Sequence, residues 1–569
     1  MYVQTDSYAL LLKKKTKGRF IHNSDVTVPC RAGISWQDKF PTADTTFGKV
    51  MGHYKNSYGK RKFAAFEGIP YIKPPVGDLR FEEPQNPEPW FGVLDATKTY
   101  TCMQNMIFPL NGEEDCVYIN VYVPRIQPIF GENLDVVVHI HGGAFVAGSS
   151  HLAGPSFLMD KDIVYVNLNY RIGIFGFLST GDEEVPGNYG LKDQMFALKW
   201  VKDNIKYFGG NPNSVTIAGM SAGAVSVHYQ YFSPLSKGLF HRGISQSGTA
   251  LAPWAMVNNP LENAVKLAKS VGCPTSSTKE LKECLKSIPA VTLYENVESV
   301  YVALGFPLSP FGPVVEKKSA TAFITKHPYL LLKQGEVHDI PWITTTTTHE
   351  GLMVLGLLNF TTQYVEDNWE QFLPYLLEYH DKIKNSDKPV VAEKIKQFYF
   401  NVDDTANLGN LVKAYGDRMF VEPMEKAARM QAKVTKSSVY SYIYGYHHEG
   451  EQIFQVPATV RGVGHGADGF LLYDMLFSEI PMGLKELTAT DVKMKDFLVE
   501  MVVSFANSEV PKLTNVEWTP VTSGESFDHL FIEKPGDIAM RYNREVCPMS
   551  FWALLPIYEH YKLDVKEEL

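Results

Sequence analysis

The stretch VTIAGMSAGAV, residues 215–225, places a serine between two glycines where an apolar, β-branched run gives way to small residues. Residues 215–217 predict the end of a buried strand, and residues 222–225 predict the start of a helix. In this context the pattern G-x-S-x-G holds its serine on a strained turn, with the hydroxyl exposed beyond the sheet. The glycines leave room where a Cβ would clash. The context therefore favours Ser221 as a nucleophile over a plain turn residue.

Further apolar, β-branched runs predict the other strands of a sheet. They lie at residues 134–140, 162–169, 242–245, 340–346 and 439–444. Between them, residues 187–208 carry apolar side chains near helical spacing. Continuous apolar strands that alternate with helices are typical of a mostly parallel sheet covered on both faces, so we predict an α/β fold. Residues 255–335 and 355–435 are predicted as helical insertions over the carboxyl ends of the strands, where ligands bind in such sheets.

A serine nucleophile needs a base and a group that orients the base. In this fold class the order along the chain is serine, then acid, then histidine. Glu350 follows the β-branched run at 344–348 and fits the acid. His465 lies in the small-residue loop GVGHG, residues 462–466, and is our choice for the base.

Three other histidines compete with His465 for this role. His349 adjoins Glu350 at the wrong place in the chain order, so we predict a structural role for it. His447 and His448 follow a predicted strand directly, inside a charged segment. Any single histidine is more often a surface or core residue than a base, so the choice depends on the combination with Ser221.

The reaction also needs hydrogen-bond donors for an oxyanion. HGGAF, residues 141–145, follows the predicted strand at 134–140. Its small residues let backbone N–H groups approach a tetrahedral intermediate. The alternative is a glycine-rich turn without function. The match to the HGGG-type motif described for lipases and esterases favours the functional interpretation.

Composition and charge narrow the class of protein. The chain has 569 residues, 45% of them hydrophobic, with 54 Lys and Arg against 63 Asp and Glu and a net charge of −9. These values are typical of a globular protein and argue against a nucleic-acid partner. No apolar run approaches the roughly 18 residues of a membrane-spanning helix.

Six cysteines occur, and two pairs are close in sequence. Cys102 with Cys116 and Cys273 with Cys284 can form disulfides in an oxidising compartment or remain reduced core thiols, and the residues alone leave both open. Whether Cys30 and Cys547 are free thiols stays open.

Seven further motifs resemble the type-B carboxylesterases, the cholinesterase-like branch of the α/β hydrolases, over residues 42–560. They are FEGIPY (66–71), PPVGDLRF (74–81), EDCVYIN (114–120), NYRIG (169–173), GN (187–188), GLKDQ (190–194) and QSG (246–248). Within that family, FGPVVE (311–316) and GMSAGA (219–224) are similar to insect esterases, especially the aphid type associated with insecticide sequestration.

The resemblance implies an α/β-hydrolase fold, a central mostly parallel sheet with helices on both faces and helical insertions over an active-site gorge. It implies Ser221 as nucleophile, His465 as general base and then acid, and Glu350 as the group that orients it. The other implied features are oxyanion N–H groups on Gly143, Ala144 and Ala222, a gorge lining of Trp254, Phe420 and Phe145, disulfides Cys102–Cys116 and Cys273–Cys284, and ion pairs Arg80–Glu114 and Arg171–Asp193.

Four departures from the family pattern bear on substrate and geometry. Ala144 stands where the family usually has a third glycine, and Asp468 replaces the commoner glutamate. The loop at 103–115 has no tryptophan whose ring could hold a choline cation, so a choline ester is disfavoured. Gly-Met-Ser differs from the Gly-Gln-Ser typical of juvenile hormone esterases, which weakens that substrate assignment.

We therefore expect a serine carboxylesterase that works through an acyl-enzyme, needs no metal or cofactor, and acts on xenobiotic or small apolar esters. Its expected partners are a small ester and organophosphate-type inhibitors; the oligomeric state is open. The alternatives are a sequestering or binding protein and a juvenile hormone esterase-like enzyme. A binding role without catalysis is disfavoured because serine, acid and histidine are all present.

The sequence also predicts the limits of the domain and the location of the protein. We predict one carboxylesterase domain at residues 42–562, with tails at 1–41 and 563–569. The cysteine pairs, the sequon at Asn359 and the C-terminal KEEL (566–569), which resembles an endoplasmic-reticulum address, favour the secretory pathway. A merely charged C-terminus is an equal alternative for KEEL. No signal peptide is visible, so a cytoplasmic location stays open.

Overall fold

The computed structural model describes residues 39–105, 110–358, 363–400, 408–448, 460–475, 486–514 and 516–558. Its internal contacts divide the chain into two units, Met1–Lys39 and Phe40–Leu569, and the helices and strands belong to the second. Several features singled out in the sequence lie outside the described residues, namely Cys30, the sequon at Asn359, the C-terminal KEEL and most of both tails.

The strands belong to two sheets. Within the described ranges they are β1 Thr42–Asp44, β2 Lys49–Met51, β3 His53–Asn56, β4 Lys62–Pro70, β5 Val93–Asp95, β6 Tyr118–Val123, β7 Leu134–Ile140, β8 Val164–Leu168, β9 Gly210–Met220, β10 Arg242–Gln246, β11 Trp342–Thr347, β12 Val439–Tyr444, β13 Phe527–Lys534 and β14 Asp537–Asn543. β1, β2 and β5 form a small sheet. The large sheet has the order β14-β13-β12-β11-β10-β9-β7-β8-β6-β4-β3.

The centre of the large sheet is parallel. From β8 through β7 and β9 to β13 every neighbouring pair is parallel. β3, β4 and β6 on one side and β14 on the other are joined antiparallel. The strands predicted from apolar runs are β7 to β12, and the prediction of an α/β fold with a mostly parallel central sheet is confirmed.

The helices lie between the strands and in the two insertions. In the described part of the chain they are α1 Gly173–Phe177, α2 Tyr189–Asn204, α3 Ala222–Phe232, α4 Pro260–Ser270, α5 Thr278–Ser287, α6 Ala290–Glu295, α7 Pro328–Gln334, α8 Leu352–Leu357, α9 Gln363–Asp367, α10 Trp369–Leu376, α11 Lys388–Tyr399, α12 Leu408–Gly416, α13 Glu422–Val434, α14 Ala467–Leu472, α15 Ala489–Ser508 and α16 Met549–Ala553. The predicted helical insertions correspond to α4–α7 and α8–α13. No helix among these is both long and apolar enough to cross a bilayer.

Both faces of the central strands are buried. Val136 and Val138 of β7 pack in the cluster that contains α2 and α3, whereas Val137 packs with α15 on the other face. Successive side chains of a strand point to opposite faces, so a run of valines can fill two cores at once. Each such side chain contributes about 1.5–3 kcal/mol on full burial. This burial holds the carboxyl ends of the strands rigid, and the candidate site lies there.

Both implied ion pairs are present beside the central sheet. Arg171 forms a two-pronged contact with the fully buried Asp193, with Nε–Oδ2 at 2.8 Å and Nη2–Oδ1 at 2.7 Å. Arg80 contacts Glu114 in the same manner, with both N–O distances at 2.6 Å. Such pairs fix the geometry of the segments they join, because removing one partner leaves a buried charge without compensation.

Both implied disulfides are present as well. Cys102 is bonded to Cys116 and Cys273 to Cys284, closing separations of 14 and 11 residues. Cys547 is buried and is a free thiol.

Removal of the first disulfide should destabilise the protein measurably. We expect Cys102→Ser with Cys116→Ser to lower the free energy of unfolding by about 2–4 kcal/mol, because the unfolded chain regains the entropy of an open loop. Urea unfolding of oxidised wild type and variant checks this. Dithiothreitol should lower the urea midpoint of the wild type by more than that of the variant. If the oxidised variant has the same midpoint as the oxidised wild type, the expectation is contradicted.

Candidate active site

The turn after β9 carries Ser221 in a strained conformation. The serine has φ 58° and ψ −125°, a region that residues other than glycine rarely occupy. Two backbone hydrogen bonds hold it there: Ser221 N–H donates to the carbonyl of Gln246 at 2.8 Å, and Val225 N–H donates to the carbonyl of Ser221 at 2.9 Å. The side chain therefore leaves the sheet at a fixed angle, directly before α3.

Close backbone contacts explain the two glycines around the serine. A Cβ on Gly219 would lie 2.4 Å from the carbonyl carbon and oxygen of Gly223. A Cβ on Gly223 would lie 2.0 Å from the carbonyl oxygen of Ile140. The turn can form only where strand β7, strand β9 and helix α3 approach without side chains, as the sequence pattern predicts.

Gly223→Ala tests this packing. The added methyl group meets backbone rather than a movable side chain, so we expect a loss of about 3 kcal/mol or more in the free energy of unfolding. Urea unfolding and the yield of soluble protein provide the measurement. Gly524→Ala is the matched control, since Gly524 is exposed and its nearest neighbour is a threonine hydroxyl at 3.3 Å. Equal stability of the two variants contradicts this account.

Glu350 and His465 are in direct contact. His465 Nδ1 lies 2.6 Å from Glu350 Oε2. The other carboxylate oxygen, Oε1, accepts from the N–H of Thr347 at 2.7 Å and from the hydroxyl of Ser247 at 2.6 Å. Glu350 is buried at the end of β11, and its carboxylate is held by three hydrogen bonds. It can therefore fix both the orientation and the tautomer of the imidazole.

The second nitrogen of His465 remains available. Nε2 is buried and has no hydrogen-bond partner within the described ranges. The loop that carries this histidine packs on the loop that carries the serine, because a Cβ on Gly466 would lie 2.4 Å from the sulfur of Met220. Ser221 and His465, which are 9% and 8% exposed, thus belong to two touching loops.

The rival histidines have other surroundings. His349 Nδ1 lies 3.0 Å from the hydroxyl of Thr348, and its ring occupies the space next to Gly462. His448 pairs with Asp491 at 2.5 Å, and His447 is exposed.

A glycine-rich loop after β7 borders the serine. A Cβ on Gly142 would lie 3.0 Å from Ser221 Cβ. Gly143, Ala144 and Phe145 follow with φ of 112°, 53° and 63°, a run of left-handed residues that turns the backbone sharply. The N–H groups of Gly143, Ala144 and Ala222 donate to no acceptor in the part of the chain that the structure describes.

His141, the first residue of this loop, holds its shape. Burial lowers the pKa of His141 to about 4, so the ring is neutral at neutral pH, and Nδ1 lies 2.8 Å from the carbonyl oxygen of Gly142. The ring stacks on Tyr170 at 4.4 Å, and the hydroxyl of Tyr170 donates to the carbonyl of His141 at 2.9 Å. His141 is the first residue of the HGGAF motif, but nothing in the sequence predicts this structural role.

A second layer of buried polar side chains, which the sequence did not predict, supports the serine. Asp468 accepts from Gln246 Nε2 at 2.8 Å and from the hydroxyl of Tyr442, and Gln246 is the residue whose carbonyl holds the N–H of Ser221. Burial raises the pKa of Asp468, and the hydrogen bonds from Tyr442 and Gln246 oppose this rise. The shorter aspartate thus still reaches two partners.

Three aromatic rings pack together beside His465. Phe420 lies 4.5 Å from the His465 ring and 5.9 Å from Trp254, and Trp254 lies 6.3 Å from Phe145. Trp254 is fixed by donation from its indole N–H to the carbonyl of Met419 at 3.1 Å. Phe420 belongs to a π-helical turn, Asp417–Val421, between α12 and α13, a feature often found at functional sites.

Comparison with known proteins places the chain among esterases. The model of the carboxylesterase family matches residues 39–552. A carboxylic ester hydrolase of Bombus ignitus is 40% identical over 549 residues, covering 93% of this chain and 96% of that protein. Esterase FE4 of Myzus persicae, an aphid enzyme, is 38% identical over 507 residues, covering 85% of this chain and 87% of that protein.

A solved structure is similar over almost its whole length. It is the juvenile hormone esterase of Manduca sexta with OTFP covalently attached, at 26% identity and a TM-score of 0.78. The similarity covers 91% of this chain and 99% of that one.

Proposed function

The chain belongs to the carboxylesterase family and is a carboxylic-ester hydrolase, and from that premise we propose that Ser221, His465 and Glu350 perform the hydrolysis through an acyl-enzyme. The observation that carries the proposal is the state of the imidazole. Its Nδ1 is held by Glu350 at 2.6 Å, while Nε2 is buried without a partner among the described residues. This arrangement leaves one nitrogen ready to accept a proton from a neighbouring hydroxyl.

In the first half-reaction, Ser221 Oγ attacks the ester carbonyl carbon as His465 Nε2 takes the hydroxyl proton. The N–H groups of Gly143, Ala144 and Ala222 stabilise the oxyanion, and Glu350 stabilises the imidazolium. Collapse of the tetrahedral intermediate breaks the bond to the alcohol oxygen. His465 gives its proton to that oxygen, so an alcohol leaves and an acyl-serine remains.

The second half-reaction repeats these roles with water. His465 Nε2 takes a proton from water as the water oxygen attacks the acyl carbon. The same three N–H groups hold the oxyanion, and the bond to Ser221 Oγ breaks as the oxygen regains its proton from His465. The products are a carboxylic acid and free enzyme, and no metal or cofactor takes part in these steps.

We propose small apolar esters, xenobiotic esters among them, as substrates. The rings of Phe145, Trp254 and Phe420 support this class, because they line the space near His465 with apolar surface. A juvenile hormone esterase-like activity is the second candidate, and the similarity to the Manduca sexta enzyme favours it. A series of esters graded by acyl and alcohol length separates the two.

Slow release of the acyl or phosphoryl group would make the same site a sequestering one. The 38% identity to an aphid esterase is the observation that favours this alternative. Burst kinetics distinguish it, because a burst of about one equivalent followed by slow turnover shows fast acylation and slow release.

An organophosphate tests the proposed nucleophile directly. We expect paraoxon to add one diethylphosphoryl group, seen by intact-protein mass spectrometry and located on Ser221 by peptide mapping. His465→Ala should slow this labelling by at least about 10³-fold, because the base is lost. A label on any other residue, or none, contradicts the proposal.

We propose residues 42–562 as a single catalytic domain within the secretory pathway. The two disulfides support an oxidising compartment. The large sheet supports one domain, because its strands are drawn from β3 near the start to β14 near the end.

A further inference from the structure

A cleft of about 110 Å³ lies next to the aromatic wall of the candidate site but outside the catalytic residues. Residues from three segments line it: the start of the first helical insertion, residues 300–310, and residues 375–382. Trp254 belongs both to this lining and to the aromatic wall near His465. The hydrolysis proposed above gives this cleft no role.

Two carboxylates in the lining have unused hydrogen-bonding capacity. Glu378 is 4% exposed, and its Oε1 accepts from the N–H of Leu308 at 2.6 Å; a carboxylate has two oxygens and can accept further hydrogen bonds. Asp381 Oδ2 accepts from Asn258 at 3.0 Å, while Oδ1 is buried and has no partner there. A buried acceptor without a donor costs about 1–3 kcal/mol, so a donor in the cleft is favoured.

The lysines of the lining are already engaged. Lys382 Nζ donates to the backbone carbonyls of Pro253 at 2.6 Å and Glu378 at 2.8 Å. Lys266 pairs with Glu262 at 2.8 Å, at the exposed side. The lining contains three carboxylates, those of Glu262, Glu378 and Asp381, and these two lysines. When all five are ionised, the lining therefore carries one excess negative charge.

Apolar groups complete the lining and limit the size of an occupant. Trp254 and Tyr375 contribute aromatic rings, which attract organic cations as well as alkyl groups. Val300, Val302 and Pro307 contribute aliphatic surface. A cavity of about 150 Å³ holds benzene, so this cleft suits an occupant of about four or five heavy atoms.

We propose that this cleft is a second ligand site, which binds a small primary alkylammonium. The ammonium group donates to Oε2 of Glu378 and to Oδ1 of Asp381, and the alkyl chain packs on Trp254 and Tyr375. An alkylammonium supplies both hydrogen-bond donors and a positive charge to the two carboxylates, whereas water and a neutral alcohol of the same size supply donors alone.

Binding at this site depends on pH through Glu378. Burial raises the pKa of Glu378 to about 7; Lys382 and, more weakly, Arg418 oppose the rise, and Asp381 adds to it. The other titratable groups of the lining are Glu262, Lys266 and His380. Because a bound cation favours the ionised carboxylate, affinity should increase about tenfold between pH 6 and pH 8, while the alkylammonium itself stays protonated.

Isothermal titration of the full-length enzyme with n-propylammonium chloride at pH 8 tests the proposal. We expect one saturable site, and Glu378→Gln should weaken it at least tenfold. Asp381→Asn, at a more exposed position, should weaken it too and serves if Glu378→Gln does not fold. Glu393→Gln, an exposed carboxylate on α11, is the isosteric control and should bind as wild type does.

The binding readout is separate from hydrolysis. Ser221→Ala should bind n-propylammonium with unchanged affinity, so failure of the proposed catalytic mechanism leaves this test intact. A titration with no saturable heat overturns the proposal, since solvent alone then fills the cleft. Two further results also overturn it. One is that n-propanol binds as tightly as n-propylammonium. The other is that Glu378→Gln and Asp381→Asn both bind n-propylammonium as tightly as wild type does.

Discussion

Ser221→Ala is expected to lower kcat for short aryl esters such as p-nitrophenyl acetate by at least about 10³-fold. The substitution removes the oxygen that we propose forms the acyl-enzyme, so only the proposed oxyanion donors and substrate binding remain. The fold should persist, because the backbone of this turn is held by Gln246 and Val225 rather than by the hydroxyl. KM should change much less than kcat, since the apolar wall is untouched.

Steady-state kinetics on highly purified variant, with paraoxon labelling as a second readout, measures this effect. Ser386→Ala, at an exposed serine, is the control and should retain full activity. Contaminating host esterase is recognised by its paraoxon titre, which should account for any residual rate in Ser221→Ala. A variant that turns over within tenfold of wild type while showing no such contaminant would remove Ser221 from the mechanism.

The sequence predicted the central strands because their burial leaves a readable pattern. β7 to β12 are covered on both faces and are therefore continuous apolar runs. β1 to β6, β13 and β14 were not predicted. The residues of β14 alternate between half-buried and exposed at the edge of the sheet, so its composition resembles that of a surface loop. Antiparallel edge strands of this kind depend on a partner strand rather than on their own residues.

The candidate site was predictable where a motif encodes a local constraint. The glycines beside Ser221 are required by close backbone contacts that any nucleophile turn of this type must make. For Gly223, the structure identifies the contacting atom as the carbonyl oxygen of Ile140. Glu350 and His465 are 115 residues apart, and only their order along the chain suggested that they meet.

The supporting contacts could not be predicted from the sequence. Ser247 donates to Glu350, and Asp468 joins Gln246 to Tyr442, through contacts between strands and loops far apart in the chain. The π-helical turn that presents Phe420 has no composition that distinguishes it from the flanking helices. The cleft at Glu378 is lined by three separate segments of the chain, so no single stretch of sequence predicts it.

Glu350→Gln is expected to lower kcat by about 10³- to 10⁴-fold with little change in KM. The substitution keeps the size of the side chain but not its acceptor pattern. The donors Thr347 N–H and Ser247 Oγ–H both point at Oε1, so the amide oxygen of glutamine should take that position. Its NH₂ group then faces His465.

An NH₂ group opposite Nδ1 forces His465 to accept there and to carry its proton on Nε2. That nitrogen can then no longer take the proton of Ser221, so the loss is a loss of general base rather than of structure. Glu393→Gln is the isosteric control and should leave kcat unchanged. Kinetics together with urea unfolding separate the two explanations. If Glu350→Gln keeps kcat within tenfold of wild type, the 2.6 Å contact does not serve catalysis; if it loses activity only in proportion to unfolding, Glu350 is structural.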